Sequence, residues 1–171
     1  MKKALVGITI ALLAIFVFAP VASARTVRLT RPEKQLLTLI NKQRARHGLK
    51  ALRVNGKLER AARSHSREMI DKDYFAHNSA SGELWSKRII RFGSRQSGCT
   101  YWTAGENIAK GVLTGGTPKA IFLAWMSSPA HKQVMLCKKF RDVGLGRARG
   151  DYSGTTGTIV FTLDCGRRIL Q

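Results

Sequence analysis

Three side chains stand out for their chemistry: His77 in Phe75-Ala76-His77-Asn78-Ser79, Glu106 in Gly105-Glu106-Asn107-Ile108-Ala109, and His131 in Ser127-Ser128-Pro129-Ala130-His131. Two neutral imidazoles and a carboxylate are a sufficient ligand set for zinc or another divalent metal, with a position left open for water or substrate. On that reading His77 and His131 hold the ion and Glu106 takes a proton from metal-bound water, as in a metal-dependent hydrolase. On the other reading Glu106 hydrogen-bonds backbone groups of its own loop and Asn107 holds a turn. The three are too far apart in sequence to form a local motif, and there is no His-Glu-x-x-His helix of the zinc-protease kind. Whether they converge depends on the elements that carry them.

Those elements read as helices first and a hairpin last. Thr30 followed by Glu33 is a capping box for a helix with Leu36, Leu37, Ile40 and Gln43 along one side, and Gly48 stops it. Asn55 caps a second helix whose stripe is Leu58, Ala61, Ala62, His65, Met69 and Ile70, with the small alanines allowing close packing. His65 falls inside that stripe and reads as a hydrogen-bonded core histidine. Tyr74–Ser81 reads as the loop bearing His77, Gly82–Phe92 as a shorter helix, and Asn107–Lys110 as a short strand. Thr117-Pro118 and Ser128-Pro129 each start a helix; the first buries Trp125 and the second carries His131 in its first turn. Alternation at Val143, Leu145 and Arg147, a turn in Gly150–Thr155 and β-branched Thr158–Leu163 predict an antiparallel hairpin, and hence an α+β layered domain.

Residues 1–24 read as a secretory signal peptide: Lys2 and Lys3, an apolar run from Ala4 to Ala19, then Ala22-Ser23-Ala24. The run is shorter than the roughly 20 residues a membrane anchor needs, so no transmembrane anchor is expected after cleavage. A basic tail over residues 25–31 and a single domain over 32–171 follow. Without Lys2 and Lys3 there are 28 Lys and Arg against 10 Asp and Glu, net +18. An exported protein of that charge meets acidic lipids and anionic wall polymers before it meets nucleic acid, so the expected partners are anionic envelope components and the expected location is extracellular or envelope-associated. Cys99, Cys137 and Cys165 permit one disulfide. Folding the hairpin about Asp151–Gly154 brings Cys165 opposite residue 140 and within reach of Cys137, with Cys99 as the other candidate partner.

Taken in order, Asn41-Lys42-Gln43-Arg44, Phe75–Ser79, Gly105–Ala109, Trp125–His131 and Val143-Gly144-Leu145-Gly146 resemble the bacterial CAP-domain (SCP-like) proteins, the superfamily of cysteine-rich secretory, antigen 5 and pathogenesis-related 1 proteins. The resemblance spans residues 32 to 166. It implies a three-layer α-β-α sandwich with a central antiparallel sheet and an open groove, in which His77, Glu106 and His131 match the family's groove residues, with Asn107 and Ser128 beside them. The two histidines can then hold a metal ion. The chain departs from the wider family in one respect: a second groove glutamate is missing from the segment before His131, where Ser128 stands, and Glu83 could replace it only if the fold brings it there. The resemblance implies a groove-bearing binding protein for a lipid, a small envelope component or a metal. A metal-dependent hydrolase and a purely charge-driven polyanion binder are the alternatives.

Overall fold

The computed structural model describes residues 28–93 and 99–170. Five α-helices, one 3-10 turn and four strands follow one another as α1 (Arg31–Arg46), β1 (Arg53–Val54), α2 (Gly56–Asp71), α3 (Trp85–Arg91), β2 (Cys99–Gly111), the turn at Leu113–Gly116, α4 (Pro118–Ser127), α5 (Pro129–Leu136), β3 (Asp142–Tyr152) and β4 (Thr155–Leu170). The sheet order is β1-β3-β4-β2, with β3, β4 and β2 antiparallel and the two-residue β1 added parallel to β3. The sheet is therefore mixed, antiparallel except at one short edge. The leader expected over residues 1–24 and the first part of the basic tail lie outside the described residues.

Strand alternation sorts the core into two faces. Odd-numbered Val143 and Leu145 of β3 and Phe161, Leu163 and Cys165 of β4 join Leu36, Ile40, Ile121, Trp125 and Met135 in one cluster beneath α1, α4 and α5. On the other face Ala104, Ile108 and Val160 pack with Leu58, Ala61, Met69 and Ile89, under α2 and α3. These are the three layers the family resemblance implies. β3 presents Gly144 and Gly146 to α2, and any side chain there would collide: an added Cβ would lie 2.0 Å from the Leu58 carbonyl carbon and 2.2 Å from that of Ala62. Fully buried Ala61 and Ala62 complete this close approach, and Ser66 Oγ fastens it by donating to Gly146 O at 3.0 Å.

Several local expectations change. Gln43 is on the surface beside His47, and the buried row of α1 is Leu36, Ile40 and Arg44. Arg44 is tolerated there because its guanidinium donates to four backbone carbonyls: Lys50 O (2.9 Å), Met135 O (2.7 Å), Cys137 O (3.1 Å) and Phe140 O (3.4 Å). With Asn41, which exchanges two hydrogen bonds with the Leu52 backbone, it makes Asn41–Arg44 a structural latch. Glu33 does more than cap: it accepts from Thr30 N, Arg147 N and Arg63, tying α1 to β3 and α2. β2 runs 13 residues rather than four because it pairs with β4 along that whole length. α3 begins at Trp85, three residues later than its sequence pattern.

The hairpin turns at Ser153 and Gly154, both at positive φ, as a two-residue loop requires. Cys165 is thereby set opposite Val143, and the expected Cys137–Cys165 bond is not formed: both are free thiols, Cys165 within the apolar core and Cys137 packed against it at the end of α5. Burial pushes the Cys165 thiol far up, out of the reactive range.

Candidate functional site

The edge strand β2 positions the site, because consecutive residues point to opposite faces. Glu106 faces the α2–α3 layer and Asn107 faces the α4–α5 layer, so the two layers each bring one histidine to the same edge. On the first side, His77 Nδ1 and Glu106 Oε1 are 2.8 Å apart, with Glu106 buried and the His77 side chain 48% exposed. On the second side, Asn107 Nδ2 donates to His131 O at 2.9 Å and so fixes the first turn of α5. Trp125 Nε1, donating to Ile108 O at 3.1 Å, fixes α4 against the same strand.

The loop carrying His77 is held at three points. His65 is buried with Nε2 2.9 Å from Ala76 O, as expected of a core histidine. Arg88 donates to His77 O and to Ser79 Oγ, each at 3.1 Å. Its other terminal nitrogen makes a short ion pair with Glu106 Oε2. Arg88 and Glu106 are thus a fully buried pair at the floor of the site, and both Glu106 oxygens are engaged, one by His77 and one by Arg88.

Beneath Glu106 lies a second acid. Asp164 is its register partner on β4, wholly buried, and both its oxygens lack a donor. Two carboxylates in one apolar site cannot both ionise cheaply, and here the proton goes to Asp164. Burial and the Glu106 charge push the Asp164 carboxyl well above the usual carboxylate range, against the opposing pull of Arg88. Burial also works to raise Glu106, but the His77 hydrogen bond and the Arg88 charge prevail and hold it below its ordinary value. The floor therefore carries one proton between two carboxyls, with the negative charge kept on the member that faces His77. Above it, burial and then the nearby His77 charge lower His131, which favours its neutral, ligand-ready imidazole.

Of the predicted residues, His77, Glu106, Asn107 and His131 are brought to one edge. Ser128 sits at the break between α4 and α5 and bonds none of them; its backbone oxygen accepts from Lys132 N. Glu83 does not replace the missing glutamate, because it is paired with Arg91 at 2.9 Å. Arg88 and Asp164 are the residues that sequence reasoning missed. A signal existed for each: Arg88 falls on the helical stripe of Trp85, Ile89 and Phe92, and Asp164 on the inward row of Val160 and Thr162. A charge on an apolar stripe marks a buried pair.

Among the described residues no three His, Cys, Asp or Glu side chains are gathered closely enough to enclose a metal. Glu106 acts instead as the carboxylate that orients His77 through Nδ1 and leaves Nε2 free, the arrangement common behind metal-bound histidines. The donor set thus suits a divalent ion held by two imidazoles, the rest of its shell coming from water or ligand. A carboxylate already bonded to His77 and Arg88 is a poor proton acceptor for a bound water, which weakens the hydrolytic reading.

A separate cavity of about 630 Å³ opens between the N-terminal half of α1 and the start of α4, lined by Arg31, Lys34, Gln35, Thr38, Leu39, Thr117, Pro118 and Lys119. Three cations and no carboxylate surround a wall that is more apolar than polar.

Against known proteins, the model of the "CAP: Cysteine-rich secretory protein family" matches residues 37–165. The Bacillus subtilis (strain 168) protein named "Uncharacterized protein YkwD" is 38% identical over 114 residues, covering 67% of this chain and 41% of its own length. "Uncharacterized membrane protein YlbC" of the same organism is 31% identical over 124 residues, 72% of this chain and 34% of its own. The chain thus spans about two fifths or less of either relative. Among solved structures, an outer surface protein of Borrelia burgdorferi superposes with TM-score 0.68 at 19% identity over 84% of this chain and 97% of that one. An extracellular SCP-domain protein of Bacillus anthracis superposes with TM-score 0.64 at 26% identity, over 83% and 45%. Among the described residues no helix is long and apolar enough to cross a membrane.

Proposed function

Because the chain belongs to the cysteine-rich secretory protein (CAP) family, with a buried ion pair where a hydrolase would need a free base, we propose that it is an extracellular, non-catalytic binding protein for a small anionic amphiphile. The observation that carries this reading is the cavity between α1 and α4. Its volume of about 630 Å³ suits a small ligand. Leu39 and Pro118 offer an apolar wall, and Arg31, Lys34 and Lys119 offer charge to an acidic head group with no carboxylate to compete. The excess of Lys and Arg holds the protein near the anionic envelope, where such ligands occur.

The test is titration of oleate into the mature chain, beside oleyl alcohol and the Lys34→Ala/Lys119→Ala double variant. Saturable binding of the acid, weakened about tenfold in the double variant while alcohol binding is unchanged, is the expected result. Equal binding of acid and alcohol, or an acid affinity untouched by the double variant, would refute it.

One observation favours a second role for the β2 edge. With Glu106 on Nδ1, the half-exposed His77 keeps Nε2 uncommitted, and His131, near enough to feel its charge, favours the neutral form, so these two would hold a divalent ion such as zinc. Bound there, the ion would supply a Lewis-acidic contact for a ligand. Glu106 and Arg88 keep the His77 ring oriented, and Asn107 holds the turn that carries His131.

A further inference from the structure

The surface is more one-sided in charge than the composition, because four of the ten carboxylates, Glu33, Glu59, Glu106 and Asp164, are buried. At the parallel edge of the sheet a cavity of about 520 Å³ is lined by Lys50, Ala51, Arg53, Arg141, Asp142 and Arg167. Its lining is mostly polar, unlike that of the cavity between α1 and α4. Three of its cations come from neighbouring backbone segments stitched together: Arg53 N donates to Arg141 O at 2.9 Å, and Arg141 N to Gly166 O at 3.0 Å, next to Arg167. The Arg141 side chain is held in place, one terminal nitrogen donating to Lys138 O (2.7 Å) and Phe140 O (2.8 Å). Among the described residues, Lys50, Arg53 and Arg167 make no salt bridge. Asp142 is the one acid in the lining, against four cations.

The cavity continues into a ridge. Lys34, Lys42 and Arg46 are exposed along α1, and Lys50 follows four residues after Arg46 as part of the cavity wall. Lys34 to Arg46 spans about 18 Å of helix. The sole acid of α1, Glu33, is buried and paired with Arg63. A cluster of guanidinium groups, one of them held in place, suits the forked geometry of phosphate oxygens, and a line of cations leading from it suits a chain rather than a single ion. A membrane surface fits less well: the cations line a concavity, and the two most exposed large apolar residues, Leu113 and Leu123, lie elsewhere, on the 3-10 turn and α4.

We propose that this cavity is a phosphate subsite for a linear phosphodiester polyanion of the cell envelope, whose chain continues along α1. The inference gives a location and a ligand chemistry to the envelope association proposed above, and it rests on that part of the reading, not on the amphiphile cavity.

The probe is a defined glycerol-phosphate decamer titrated into the mature chain in increasing salt, with phosphatidylglycerol vesicles as the lipid arm. The Arg53→Gln/Arg167→Gln variant should bind the decamer at least tenfold more weakly. A Lys87→Gln/Lys132→Gln variant, equal in net charge, should lose less than twofold. With the four cavity cations and the three of the α1 ridge engaged, the log–log salt slope should be about −5, falling by about 1.4 in magnitude in the first variant. In the wild-type protein, backbone amide shifts on adding decamer should concentrate at residues 50–54, 141–142 and 166–167, a readout that does not depend on any variant folding. Equal losses in the two variants, or shifts spread over the surface, would overturn the site in favour of diffuse charge. A loss confined to vesicle binding would overturn the polymer in favour of lipid. Oleate binding measured on the same variants should be unchanged, so failure of this proposal and failure of the amphiphile reading give different results.

Discussion

Replacing Asp164 with asparagine should shift stability in the variant's favour by an amount that grows with pH. In the native state burial and the neighbouring Glu106 charge raise the Asp164 carboxyl well above its usual range, whereas unfolded it titrates near about 3.9. A raised native value means that the folded state keeps a proton the unfolded state releases. The stability this group contributes is then fully present below the unfolded value and is lost as pH rises towards the folded one, at up to about 1.4 kcal/mol per pH unit. Asparagine keeps the neutral shape but has no proton to lose, so its curve lacks that decline. Relative to wild type, the variant should therefore gain about 1.4 kcal/mol for each unit above about pH 4.5, until the folded value is passed and the difference levels off. The fit of the amide sets the offset between the curves and leaves this slope unaffected. Urea unfolding followed by tryptophan fluorescence at each unit from pH 4 to 8 measures it. A difference that is flat across that range would show that Asp164 is ionised in the folded protein and that the single-proton description of the floor is wrong.

Gly146→Ala should cost about 3 kcal/mol, because its Cβ would fall 2.2 Å from the Ala62 carbonyl carbon and α2 would have to lift from β3. A melting temperature within a degree of wild type would contradict the contact, since such a loss lowers it by about 10 °C in a domain of this size. For the β2 edge, calorimetric titration near neutral pH should show one Zn²⁺ per chain, abolished by His77→Ala and by His131→Ala with the circular dichroism unchanged. Glu106→Gln should weaken it by about 10- to 100-fold through the lost orientation of His77. Binding indifferent to both histidines would remove the metal from this edge.

The local signals in the sequence determined a good deal. Thr30 with Glu33, Asn55, Thr117-Pro118 and Ser128-Pro129 set four helix starts, and alternation after Val143 set the hairpin, because caps and periodicity act over a few residues. Short motifs in a fixed order were enough for the family and the three layers. His77, Glu106 and His131 were legible as candidates from residue type and neighbours.

What each of them touches was decided only by packing. No local pattern says that consecutive residues of an edge strand, Glu106 and Asn107, serve two different helical layers, or that Arg88 and Asp164, 76 positions apart, both act on Glu106. Glu106 has both oxygens engaged, one by His77 and the other by Arg88, because the fold placed Arg88 on its second oxygen. Cys137 and Cys165 share a core cluster without bonding, and the turn at Ser153–Gly154 sets Cys165 opposite Val143, a register no cysteine count can give. Capping and period are properties of a few adjacent residues, and the sequence displays them directly. Pairing register, the burial of a charge and the sharing of a proton belong to residues that only the folded chain makes neighbours.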